Sequence, residues 1–286
     1  SRIFSCLLSV NKSKEETVND FRQINLYAKS LGFEIIVDVS PSVFDKLQIS
    51  YKDLGFFKEI GADGIRLDIG FTGLEESIMT FNEYGLKIEI NMSNDVACID
   101  TIMDYEPNRY NLYGCHNFYP HNYSGLGLDF FKSCTKRFKK YGLNTAAFIT
   151  TGNKGSFGPW PTDFGLPSLE MHRNMEIDKQ LKHMIALSDI DDIIISNCYP
   201  TDKELEKIKN IPLDRVCFDV KLLPNLPELE RKIVLKEMHF NRGDKSDNFI
   251  RSTASRVKYS GEKFELINPA NIKRGDIIIE SSMYGH

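Results

Sequence analysis

An α/β fold built on a parallel sheet is the class this sequence predicts, and three observations predict it. Short β-branched runs alternate with amphipathic helical stretches through about residue 210. Glycines stand where helices should end (Gly32, Gly61 and Gly142), the position at which a left-handed residue closes the last turn. Most apolar runs finish in polar residues, which sets a polar rim at the C-terminal ends of the strands.

In chain order, residues 3–8 form the first expected strand and residues 14–31 the first helix. Residues 33–39 are the second strand, closed by Ser40 and Pro41, and 51–60 a helix. Strand 64–69, helix 74–82 and strand 86–91 follow; residues 95–104 are helical, capped by Asn94 or Asp95. Next come strand 111–116, helix 128–141, strand 145–150 and a long loop, 151–166, with four glycines, two prolines and Trp160. Loops of that length inside a compact domain are usually functional. Helix 177–187, strand 192–197 and helix 202–209 complete seven strands.

A closed (β/α) barrel takes eight strands, so the expectation is an open sheet or a barrel short of one unit, the missing one upstream. Past Pro212 the helical period fades. Residues 216–220 and 233–239 read as strands, and two Arg-Gly-Asp turns accompany further β runs. The expected division is a barrel over residues 1–211 and a small β-rich domain over 212–286, incomplete at its end.

Composition narrows the function. The chain has 286 residues, enough for a large core, and its net charge of −4 gives no basic surface for nucleic acid. No apolar run reaches the roughly 20 residues that span a membrane, and the first residues read as a strand rather than a signal peptide. The six cysteines are scattered singly, matching neither metal spacing nor a disulfide framework. They are read as reduced thiols, which favours the cytoplasm.

The chemistry is expected on the rim. Residues two apart on a strand share a face, so Arg66 goes with Asp68 and Glu89 with Asn91. Asp38, His116, Asn117, Thr150 and Asn197 end other strands, and together these residues outline a pocket. Asp38, Asp68 and Glu89 offer the carboxylate pair that glycoside hydrolysis needs, one to donate a proton and one to attack or to activate water. The competing reading of each is a structural hydrogen-bond acceptor.

Glu170, after the long loop, is either a further acid or a helix N-terminal carboxylate. Tyr119, with His116 and His121 around it, suits a sugar face, and Arg66 and Arg173 suit an anion. No metal is expected, because His116, His121, Glu170 and His172 lack ligand spacing. No cofactor is expected either: dinucleotide and P-loop fingerprints are missing, and no strand-end lysine could form a Schiff base.

Seven segments carry a resemblance: DVSP at 38–41, GADGIRLDIGF at 61–71, KIEINMSN at 87–94, CHNFYPHNYSGL at 115–126, FGPWP at 157–161, LEMHR at 169–173 and HFNRGDKSDNFIRST at 239–253. Along its whole length the chain resembles the bacterial 6-phospho-N-acetylmuramidase family. The resemblance implies a TIM-type (β/α) barrel followed by a small cyclophilin-like β-barrel domain. It implies a cytoplasmic glycosidase that cleaves 6-phosphorylated MurNAc–GlcNAc during recovery of cell-wall fragments, a small-molecule partner with no nucleic acid or membrane involved. Members start with one more strand and helix and end with more strands. By that likeness the chain lacks a first βα unit of about thirty residues and is truncated in its second domain.

The catalytic assignment comes from the rim residues and not from the likeness. Asp38, Asp68 and Glu89 are the expected acid, base or nucleophile. Asn91, His116, Asn117, Tyr119, Glu170 and Asn197 are expected to bind the sugar, and Arg66 or Arg173 the phosphate or lactyl carboxylate. The alternative is a sugar-phosphate-binding or regulatory protein on the same scaffold, without turnover.

Overall fold

Seven strands lie side by side in chain order, every neighbouring pair parallel: β1 (Arg2–Cys6), β2 (Glu34–Val39), β3 (Gly64–Leu67), β4 (Lys87–Asn91), β5 (Leu112–Cys115), β6 (Asn144–Ile149) and β7 (Asp192–Ile195). The computed structural model describes residues 1–9, 11–244, 246–252, 254–267 and 271–284. It divides into two units, Ser1–Cys217 and Phe218–His286.

Alternation along the strands sorts side chains onto two faces. Ile35, Val37, Ile65, Leu67, Ile88 and Ile90 point outward and are buried beneath the helices. Those helices are α1 (Lys14–Ser30), α2 (Pro41–Lys46), α3 (Gly55–Glu59), α4 (Leu74–Met79), α5 (Cys98–Asp104), α6 (Leu128–Lys139), α7 (Ile177–Leu187) and α8 (Asp202–Lys209). The other face curls in on itself. Phe4 of β1 meets Phe148 of β6 edge-on at 5.2 Å and Phe118, beyond β5, at 6.1 Å. Arg2 of β1 reaches Glu89 of β4 at 2.7 Å and Asp192 of β7 at 3.4 Å. Such contacts require a sheet rolled into a nearly closed barrel, consistent with the TIM type.

Local signals explain the helix ends. Ser13 and Glu16 form a reciprocal capping box at the start of α1, as Thr201 and Glu204 do for α8. One helix of the first unit was not expected. Ser40-Pro41 reads as a stop, yet Pro41 occupies the first turn of α2, where its missing N–H costs nothing. The helix expected over 51–60 contracts to α3.

The second unit corrects the β-rich expectation. Residues 233–239, expected as a strand, overlap α9 (Glu228–Lys236), whose acidic first turn and basic last turn suit the helix dipole. No strand forms over 216–220, and α10 (Ala254–Lys258) is a second short helix. Among the described residues of this unit the β pairing is one isolated bridge, Asn241 with Ser252. The first Arg-Gly-Asp lies beside it, with Arg242 N–H donating to Arg251 O at 2.8 Å. The second is a turn in which Gly275 takes φ +98°. The described residues therefore do not display the cyclophilin-like β-barrel.

Candidate active site

The barrel's C-terminal rim carries two polar assemblies. The first grows from β2 to β4, where Asp38, Arg66 and Glu89 sit in register on the inner face. Arg66 is 2% exposed. Its Nη1 donates to Asp38 Oδ1 at 2.7 Å and to Asp68 Oδ1 at 3.3 Å, and its Nη2 donates to Asn117 Oδ1. Burial works against the Arg66 charge, but Asp38 and Asp68 more than offset it and hold the pKa above the ordinary arginine value. Arg66 Nε is buried without a partner among the described residues.

The two aspartates differ in surroundings. The Asp38 side chain is 5% exposed, and burial pushes its carboxyl up to about 6 although Arg66 pulls the other way. The Asp68 side chain is 33% exposed and opens onto the rim. Asn91 holds this end of the site, donating to Asp68 O at 2.9 Å and accepting from Ser93 N–H at 2.9 Å.

Glu89, the third expected catalytic carboxylate, turns away from the rim. Arg2 Nη1 donates to its Oε2 at 2.7 Å, and Arg2 opens β1 at the N-terminal end of the barrel. Its Oε1 is buried and unpartnered among the described residues. Strand alternation puts Glu89 on the inner face, as expected, but the tilt of barrel strands lowers it to the level of Arg2. It is an interior ion pair rather than a rim acid.

His116, expected to bind sugar, is fully buried and stacked on Phe131 at 4.0 Å. Thr135 Oγ1 donates to Phe131 O, so it accepts from His116 Nε2 at 2.9 Å. Ser93 Oγ accepts Asn117 N–H and is left to donate to His116 Nδ1 at 3.3 Å. Burial and then Arg66 lower the imidazole to about 3, so it stays neutral. The ring thereby fixes Ser93 and Asn117 in place.

The second assembly joins the loops after β5, β6 and β7. Glu170 receives Arg173 through two parallel bonds, Nε to Oε1 at 2.7 Å and Nη2 to Oε2 at 2.6 Å. It also accepts Tyr123 N–H at 2.9 Å and Gly125 N–H at 2.8 Å. Arg173 and these amides hold its carboxyl down at about 2. A Cβ on Gly125 would lie 2.7 Å from Glu170 Oε2, so the close approach requires glycine.

Arg173 Nη1 donates to the carbonyls of Tyr119, Phe164 and Gly165. All three guanidinium nitrogens are thus engaged, and the expected anion contact of Arg173 gives way to a bracket across two loops. Asn197 is likewise turned inward, accepting from Thr150 Oγ1 and Thr151 N–H and donating to Thr151 O and Ser156 Oγ. Tyr119 stays half-buried, its hydroxyl pKa raised by burial.

The histidines once weighed as a metal set go separate ways: His116 as above, and His172 against His183 at 2.7 Å. Among the described residues no group of three His, Cys, Asp or Glu side chains could hold a metal ion. No helix among them is long and apolar enough to cross a membrane. Arg2, Ser93 and Gln180 escaped the sequence reading. A charged residue opening the apolar run RIFSC was the available sign for Arg2. Gln180, whose amide clasps the backbone of Thr150 on both sides, left none.

The comparisons with known proteins agree along the chain. A family model described as 6-phospho-N-acetylmuramidase, N-terminal, matches residues 1–210, and its C-terminal counterpart matches residues 216–286. An uncharacterized B. cereus protein of known crystal structure is 44% identical. It superposes with a TM-score of 0.81, covering 94% of this chain and 73% of its own. A conserved Enterococcus faecalis protein of unknown function, 23% identical, shares the fold at a TM-score of 0.61 over 72% of this chain and 55% of its own. Comparison with curated proteins gives no match.

Proposed function

Because the chain belongs to the 6-phospho-N-acetylmuramidase family, whose name indicates a glycosidase, we propose that it hydrolyses the bond between 6-phosphorylated MurNAc and GlcNAc at the Asp38–Arg66–Asp68 cluster. One observation carries the reading: both aspartates bind the same nitrogen of Arg66 yet sit in different environments. Asp38, buried and pushed up to about 6, holds its proton and donates it to the glycosidic oxygen. Asp68, about one-third exposed, meets the anomeric carbon.

A shared nitrogen keeps the nearer oxygens within about 6 Å of each other, closer to the retaining spacing than to the inverting one. Asp68 is therefore the nucleophile, and Asp38 takes a proton from water in the second step. On this reading Asn91, Asn117 and Tyr119 meet hydroxyls or the acetamido group. The six free thiols support a reducing, cytoplasmic setting in which wall fragments are re-used.

The test is turnover of 6-phospho-MurNAc–GlcNAc with product anomers followed by NMR. Retained configuration, with Asp68→Asn and Asp38→Asn each at least about 100-fold slower, is expected. Near-normal turnover in both variants removes the cluster from the mechanism. Binding without turnover in the wild-type protein would favour a sugar-phosphate sensor.

A further inference from the structure

Two exposed tyrosines on the rim are explained neither by packing nor by their turns. Tyr123, between β5 and α6, takes φ +66° and is 92% exposed; Tyr199, between β7 and α8, takes φ +65° and is 69% exposed. The left-handed region is costly for a bulky residue, and Gly or Asn would serve either turn with less strain. Most of the surface of each residue stays exposed.

Both backbones are nevertheless held firmly, and from the same side. Glu170, after β6, accepts Tyr123 N–H at 2.9 Å. Asn153, also after β6, donates to Tyr199 O at 2.7 Å, and the neighbouring Cys198 bridges to Phe157. The loops thus fix the backbones of two solvent-exposed tyrosines, on the arc across the barrel from β2 and β3.

We propose that Tyr123 and Tyr199 form a subsite for the leaving-group sugar, an amino-hexopyranose; the proposal rests on the glycosidase reading of Asp38 and Asp68. A chair pyranose presents one face of axial C–H groups, whose partial positive charge suits the negative face of a phenol ring. The phenol hydroxyl adds a donor and acceptor for a ring substituent. For this subsite to act, the sugar that receives Asp38's proton must be cleaved at the β2–β3 side with its ring directed toward the loops after β5 and β7. A fixed backbone limits the ordering cost of binding, which gives the backbone strain a use.

The double variant Tyr123→Asn/Tyr199→Asn tests this, because Asn tolerates the left-handed backbone and removes both rings. Its melting temperature should equal or exceed that of the wild type. KM for 6-phospho-MurNAc–GlcNAc should rise about 10-fold with kcat little changed, whereas kinetics on the methyl glycoside of 6-phospho-MurNAc should be unaffected. Saturation-transfer NMR with free GlcNAc should show contact in the wild type and lose it in the variant. Unchanged KM and unchanged saturation transfer overturn the subsite. So does a variant that alters only sedimentation, which would assign the rings to contact between copies. If the wild type fails to cleave the disaccharide, the glycosidase reading falls, and saturation transfer still reports on the tyrosines.

Discussion

Arg66 and Arg173 are both buried arginines that bind carboxylates at the barrel rim, and they are built to opposite ends. Arg173 meets one carboxylate in a parallel fork, gives its remaining donors to backbone carbonyls, and holds Glu170 at about 2. Arg66 is divided between two carboxylates on one nitrogen, keeps a buried Nε without a partner among the described residues, and leaves Asp38 up at about 6. Full satisfaction marks the arginine that fastens loops. On the proposed function, incomplete satisfaction marks the one beside chemistry, where a carboxyl with a raised pKa has a use.

The largest expected effects test that division directly. Asp68→Asn should lower turnover by about 10²- to 10⁴-fold while the melting temperature holds or rises, since it removes one of two acids competing for Arg66. A fall in stability comparable to the loss of activity would place Arg66 and Arg173 in the same class.

Glu170→Gln should do the reverse. It leaves the nearly buried Arg173 charge uncompensated and should cost about 2–3 kcal/mol of stability by denaturant unfolding. Any loss of activity should follow from loosening of the 117–126 loop. Glu89→Gln should likewise lower stability through Arg2 and leave the pH profile of turnover unchanged.

The smallest effects are in pH dependence, and they have opposite signs. The Asp38 carboxyl is raised in the fold, so its contribution to stability is complete below its ordinary value of 3.8 and is lost as pH rises through about 6. Activity should fall over the same upper range as the acid loses its proton, and Asp38→Asn should remove that limb. The Glu170 carboxyl is depressed, so its contribution is present above its ordinary 4.5 and is lost as pH falls toward about 2. Melting curves from pH 2 to 7 on Asp38→Asn and Glu170→Gln would separate the two.

Which residues could be read in advance follows from the range of the forces that place them. Period-two alternation is local, so Asp38, Arg66, Asp68 and Asn91 were legible as inner-face residues near strand ends. The height of Glu89 in the barrel depends on strand tilt, and the partners of Arg173 are carbonyls on distant loops; neither has a local sign. His116 reads as a ligand because a histidine ends a strand, but its stacking on Phe131 and its bond to Thr135 come from a helix that follows. Ile233–Leu235 in ELERKIVLK fits a strand or a helix equally well, and the flanking charges decide for α9.

The sheet's order, first strand to last without a crossover in sequence, also bears on how the barrel assembles. Each strand pairs only with those immediately before and after it in the chain, so every ladder can close as its helix folds back, without a search for a distant partner. During synthesis the sheet can therefore grow one unit at a time behind the ribosome. Rolling it up is a separate step, carried by side chains: Arg2 onto Glu89 and Asp192, and Phe4 between Phe118 and Phe148. Phe4→Ala should accordingly speed unfolding far more than it slows the formation of secondary structure, leaving a chain that builds its strands on time and curls late.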